Sequence, residues 1–219
     1  MNGGVNLLDA LVYIFFSTLE GLVIMYCSLS IFRVNIKIYF REAILTSIMI
    51  SCGTYFYIGT NFESSSVFIN AVMLMIAYLF IFRISLLPSI YIPIFGFVAF
   101  LVLQGLFISI ISYGFNISLE KIKSIEALRY FIQVATDLII LSLFKGLEKR
   151  RICFTFVPFD YSIKIKRNKA NVALLISSFL GAALLGTALR FDSLIIGTLF
   201  WIVGFVVIVY VGYKKEMEV

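Results

Sequence analysis

Long apolar runs broken by short polar stretches dominate the chain from its seventh residue onward. Seven such runs recur, near Leu7–Phe32, Ala43–Gly59, Ser66–Phe82, Ser89–Tyr113, Tyr130–Leu147, Asn171–Leu189 and Ser193–Tyr213. A helix of ~20 apolar residues crosses the hydrocarbon layer of a bilayer, so the pattern predicts about seven transmembrane helices. The first and fourth runs are long enough to tilt or to continue past the interface. The second and third are short, but polar residues bound each of them and both are expected to cross. Pro93 follows closely after Pro88 at the start of the fourth run, which predicts a kinked or non-helical beginning there.

Composition turns this pattern into a statement about solvent. Of 219 residues, 62% are apolar, 16% aromatic and 14% charged, with a mean hydropathy of +1.06. A water-soluble domain is nearer half apolar and a quarter charged. Lipid must therefore solvate most of this chain, and the expected fold is an all-α polytopic membrane protein with residues 1–219 forming one transmembrane helical domain. There is no internal repeat, Pro-rich linker or low-complexity tract, and no room for a large soluble catalytic domain. No cleavable signal peptide is evident: Met1–Asn6 carry no basic residue, and the run from Val5 to Phe32 is too long for a signal core.

The formal net charge is +6, but the placement of the charges matters more than their sum. Alternating the seven segments puts Arg33, Lys37, Arg41, Arg83, the cluster from Lys145 to Lys169, Lys214 and Lys215 on one side. Lys121, Lys123, Arg129 and Arg190 fall on the other, a division of fourteen against four. By the positive-inside rule the rich side is cytoplasmic, which places the N-terminus outside and the C-terminus inside a cell membrane.

Reactive chemistry is scarce. The chain has no His, which removes a His base, a His metal ligand and a phosphoacceptor His. Cys27, Cys52 and Cys153 are an odd set without short-range pairing, expected to be free thiols. No phosphate-binding glycine loop, zinc spacing or serine nucleophile elbow occurs, so neither an enzyme, a cofactor nor a metal is expected. The basic connection KGLEKRRICFTFVPFDYSIKIKRNK is tied to the membrane at both ends, and its alternating cations and aromatic rings fit anchoring to anionic lipid. Nucleic acid is not an expected partner; the lipid bilayer is.

Two carboxylates lie at mid-depth, Glu20 in the first segment and Asp137 in the fifth. A charge there costs ~2.5–3.5 kcal/mol on insertion scales, so each should face the bundle interior, find a partner or be protonated. Gln104 and Gln133 are the nearest polar residues by depth, and Gln133 precedes Asp137 by one turn. These four residues could form a proton- or ligand-linked switch, or simply fix helix packing by hydrogen bonds. On the outer side, GFNISLEKIKSIEALR predicts an amphipathic surface helix, with Leu119, Ile122, Ile125 and Leu128 on one face. Small residues at Gly181, Ala182, Ala183, Gly186, Gly197 and Gly204 suit close packing of an antiparallel final hairpin.

The layout resembles the N-terminal membrane sensor of the peptide-pheromone receptor histidine kinases of Gram-positive bacteria, the accessory gene regulator C (AgrC) type. The resemblance lies in the outside N-terminus, the short outer loops, the fifth segment ending in FKGLEKRR, the long basic inner loop and a final hairpin whose last helix enters the cytoplasm. It extends over nearly the whole chain but departs from the family in lacking a kinase region. It implies quorum sensing: a secreted peptide bound outside and a signal relayed through the last helix to a cytoplasmic or membrane partner, with a homodimer left open. Topology alone nominates Asn61, Phe62, Glu63, Phe115, Glu120, Arg129, Arg190 and Asp192 as outer ligand contacts. Two other functions stand beside this receptor-like sensor. One is a small transporter, or its substrate-binding subunit, with Glu20, Gln104, Gln133 and Asp137 along a polar path. The other is a scaffold or immunity-type protein that binds another membrane protein.

Overall fold

The computed structural model describes residues 7–58, 60, 65–115, 117, 121–122, 125–155, 168–187 and 194–217. They form seven α-helices: α1 (Leu7–Ile31), α2 (Phe40–Tyr57), α3 (Ser66–Phe80), α4 (Leu86–Gly114), α5 (Glu126–Lys149), α6 (Lys169–Thr187) and α7 (Leu194–Met217). No strand occurs among the described residues. Four helices are long and apolar enough to cross a membrane: α1, α4, α5 and the Gly197–Met217 part of α7. Ser66–Phe80 and Lys169–Leu185 are shorter apolar helices. The helices are those the apolar runs predict, with ends shifted by a few residues.

One expectation changes. The fourth run does not begin as non-helical chain; α4 is helical from Leu86, ahead of both prolines. Pro88 falls in the first turn, where a backbone N–H has no intrahelical acceptor and its loss is harmless. Pro93 lies inside the helix, and its missing N–H takes away only the bond to the Ser89 carbonyl. Ser85, in extended conformation, marks the start.

Side-chain neighbours give the directions. Along α1 and α2, Gly21 meets Ser47, Thr18 bonds Ser51, and the Tyr13 and Tyr55 rings touch, so the two helices run antiparallel. Gly96 of α4 lies against Ile24 and Ser28 of α1, while Phe32 meets Tyr91 and Phe95, again antiparallel. α5 runs parallel to α1, from Phe16 against Tyr130 to Tyr26 against Glu148. Gly181 faces Ile208, and Gly204 faces Leu184, which makes α6 and α7 an antiparallel pair in close contact. Any side chain at Gly204 would collide with Leu184, as the small-residue pattern requires.

α4 is the central post, packed against α1, α3, α5, α6 and α7, while α2 leans on α1 and α3. The core gathers where α1 ends and α4 begins, around Phe32, Tyr78, Phe82, Tyr91, Phe95 and Ile208. Large apolar side chains such as Phe15, Phe56, Phe131 and Phe179 point outward and stay exposed. That surface suits lipid and would be a liability in water.

Three arginines, Arg33, Arg83 and Arg151, adopt left-handed backbone conformation, with φ of 56°, 53° and 58°. They follow the C-terminal ends of α1, α3 and α5, a position usually given to glycine. At α1 the N–H of Arg33 bonds the Ser30 carbonyl and that of Val34 the Leu29 carbonyl. At α5, Arg151 bonds Glu148 and Ile152 bonds Leu147 in the same way. Both are Schellman closures, and they satisfy carbonyls that would otherwise lack donors.

The predicted outer surface helix lies largely outside the described residues, although Lys121 and Ile122 are helical and Ile122 is buried. The basic connection after α5 starts by folding back onto the bundle. The N–H of Phe154 donates to the Ile31 carbonyl over 2.7 Å, and its ring enters the Phe32–Phe95 cluster. The Thr155 N–H donates to the Glu216 carboxylate over 2.7 Å, which fastens this connection to the end of α7.

Candidate functional site

The face where α1 begins opens into a vestibule of about 540 Å³ between the first turns of α1 and α5, the end of α2 and the start of α3. Asp9, Tyr55, Tyr57, Glu126, Arg129 and Tyr130 give it mixed charge and an aromatic wall. The Arg129 guanidinium carbon lies 5.0 Å from the Tyr130 ring centroid, a cation–π contact. Tyr130 in turn stacks on Phe16 at 4.4 Å, which fixes α5 against α1 at this level.

Deeper in, among α1, α2, α3 and α4, lies a second hollow of about 240 Å³. Tyr13, Thr54 and Ser66 line both spaces, so the hollow adjoins the vestibule. Its walls carry Ser17, Glu20, Ser51, Asn70 and Gln104, and its deep end is apolar, with Ile24, Met25, Leu74 and Phe97. Helical spacing produces the polar wall: Ser51 and Thr54 line the hollow from α2, and with Ser47, which packs against Gly21, they recur at i, i+4 and i+7 on one face. Thr54 Oγ1 lies 2.8 Å from the Ile50 carbonyl and 3.0 Å from Asn70 Oδ1, joining α2 to α3 across the wall.

Glu20 lines the wall of the hollow. The Gln133 amide donates to its carboxylate and lies 3.4 Å from the Phe16 carbonyl, so the mid-depth carboxylate has a neutral partner from α5. One turn further along α5, Asp137 is buried, and its Oδ1 has no hydrogen-bond partner among the described residues. Gln104 lines the same hollow as Glu20. The four mid-depth polar residues thus fall in one region, with the Glu20–Gln133 bond as its centre.

The outer contacts divide. Arg129 stands in the vestibule, whereas Phe115 is exposed at the end of α4 and does not line it. Asn61, Phe62, Glu63, Glu120, Arg190 and Asp192 lie outside the described residues. Sequence reading missed the hollow's own lining, chiefly Tyr13, Ser51, Thr54 and Asn70. The Ser/Thr spacing on α2 carried the signal, but hydroxyls in apolar runs satisfy themselves on the helix backbone so readily that they draw little attention. Cys27, Cys52 and Cys153 are free thiols.

Comparison with family models, with curated proteins and with solved structures returns no match.

Proposed function

We propose that this protein is a receptor-like sensor of the cell membrane, oriented with the α1 start outside, that takes a small molecule or a few side chains of a peptide into the vestibule and hollow. The observation that carries this reading is that the two spaces adjoin at Tyr13, Thr54 and Ser66, which line both. A concave site with apolar walls and a few convergent polar groups is the usual form of a ligand pocket. The apolar deep end supports binding rather than passage, because it stops the polar lining above the tightly packed half of α1. The charge division of fourteen cations against four supports the orientation. The basic ends of α1 and α5 then face the cytoplasm, and α7, fastened at Glu216 to the connection after α5, is the element best placed to relay a signal to a partner.

The test is native mass spectrometry on protein released gently from its host membranes, followed by thermal unfolding with whatever ligand is found. A ligand at a hundred times its Kd stabilises the folded state by about 2.7 kcal/mol, and Asn70→Leu should abolish that gain. Bound mass that survives Asn70→Leu and Gln104→Leu unchanged places the ligand elsewhere and overturns the reading.

A second reading, transport, is favoured by the seam between α1 and α5. Polar groups recur there at successive depths: Arg129, the Glu20–Gln133 pair, Asp137 and the Tyr26–Glu148 pair, whose hydrogen bond is 2.8 Å long. Flux in reconstituted vesicles that falls on Asp137→Asn would favour it over the sensor; flux equal to empty vesicles removes it.

A further inference from the structure

At the face opposite the vestibule, the ends of α1 and α5 enclose a groove of about 1100 Å³. Five cations line it, Arg33, Lys37, Lys145, Lys149 and Arg151, against one carboxylate, Glu148. Tyr26 donates to Glu148 over 2.8 Å, which holds that carboxylate back against α1. Among the described residues none of the five cations forms an ion pair. Among the described residues the groove therefore carries a net positive charge, five cations against one carboxylate.

It is also a built one. Arg33 Nε donates to Cys153 Sγ over 3.4 Å, and the Phe154 N–H bonds the Ile31 carbonyl, so the rim from α1 is tied to the rim from α5. The Asn35 side chain accepts from the Lys37 N–H over 3.0 Å and shapes the turn between them. Arg33 and Arg151 occupy the left-handed positions where glycine is usual. Both closures keep a cation at the lip of the groove at some conformational cost.

We propose that this groove binds a phosphate group, supplied by the headgroup of an anionic phospholipid. The rim argues for lipid over a soluble phosphate compound. Leu141, Val34 and Ile36 line the groove beside the cations, and Ile38 and Ile152, next in the chain to Lys37 and Arg151, are exposed. A free phosphate has no use for that apolar border; a lipid fills it with acyl chain. The groove lies where two apolar helices end, the level at which headgroups sit. Basic pockets between helix ends on a cytoplasmic side are a known mode of headgroup binding.

The experiment places the full chain in nanodiscs of neutral lipid doped with phosphatidylglycerol and counts retained lipids by native mass spectrometry. The wild type should hold anionic lipid in preference to neutral lipid. Combined Lys37→Gln, Lys145→Gln and Lys149→Gln should lower that retention by on the order of tenfold or more. These three side chains are exposed, so the fold should survive, as thermal unfolding would check. Lys214→Gln with Lys215→Gln removes charge from the same end of the bundle outside the groove and should leave retention unchanged. Equal loss in both variants, or no preference in the wild type, overturns a defined lipid site. A parallel titration with inorganic phosphate separates the sources. Stabilisation by phosphate that the triple variant abolishes, without lipid preference, assigns the groove to a soluble phosphate compound; neither response discards the phosphate site.

Discussion

The two halves of α1 show two ways of packing within one helix. From Leu7 to Leu22 its residues are exposed or half-buried, apart from Ala10, and one face, with Asp9, Tyr13, Ser17 and Glu20, borders the vestibule and the hollow. From Val23 to Phe32 all but Tyr26 are buried in the main core. The first half meets its neighbours through hydroxyls, amides and a carboxylate across open space. The second half is clamped by Phe95, Tyr78, Tyr91 and the returning Phe154. Lipid offers no water-driven gain for bringing helices together, so cohesion comes from dispersion contacts and hydrogen bonds. The aromatic end supplies that cohesion, which leaves the other end free to stay hollow.

The largest effect should therefore come from the dense end. Phe95 is buried and touches Phe32, Phe154 and Phe205 with ring centroids 5.4–6.2 Å apart. Phe95→Ala should lower unfolding stability in mixed micelles by about 3 kcal/mol, the lower end of the range for such a cavity, because packing is lost without a transfer term to water. A loss below ~1 kcal/mol would mean that this end collapses around the gap and is not the rigid base described.

An intermediate effect belongs to the polar link buried in that same dense end. Ser28 Oγ and Tyr78 Oη share a hydrogen bond of 2.7 Å and both are fully buried. Tyr78→Phe keeps the ring and removes the hydroxyl, so stability should fall by about 1 kcal/mol, within the range for bonds between membrane helices. Ser28 retains the Met25 carbonyl at 3.0 Å as an acceptor, which limits the cost. A double cycle with Ser28→Ala would show whether the two hydroxyls act as one unit.

The dense end and the hollow were not equally legible in the sequence. Helix number and order follow from apolar runs, because lipid demands a long apolar segment for each crossing and the charges mark the breaks. The role of Glu20 and Gln133 was half legible: depth alone nominated both, but only the parallel pairing of α1 with α5 joins them. The hollow itself was not legible. It depends on how α1, α2, α3 and α4 come together around Thr54, Asn70 and Gln104, an arrangement that no residue spacing encodes. The basic groove shows the same limit in another way. Arg33 and Lys149 read as separate charge clusters, and their convergence needs the return of Phe154 to Ile31, a backbone bond between residues 123 positions apart. Local chemistry fixes what a helix presents; which faces meet is decided by the whole bundle.

The smallest stability effect should come from the hollow, and it sharpens the contrast most. Thr54→Val is nearly isosteric and removes a hydroxyl that serves the Ile50 carbonyl and Asn70 Oδ1 with one proton. The Ile50 carbonyl has its helix bond in any case, and Asn70 faces a space large enough for other partners. Stability should therefore fall by only about 0.5 kcal/mol, well below the Tyr78→Phe loss, although both changes delete one hydroxyl between helices. Ligand-dependent stabilisation, by contrast, should drop clearly, since Thr54 lines both the vestibule and the hollow. A stability loss as large as that of Tyr78→Phe would mean that α2 and α3 depend on this contact as the core depends on its own. The open half of the bundle would then be as tightly specified as the closed half, and its polar wall would be structural rather than a place kept for a ligand.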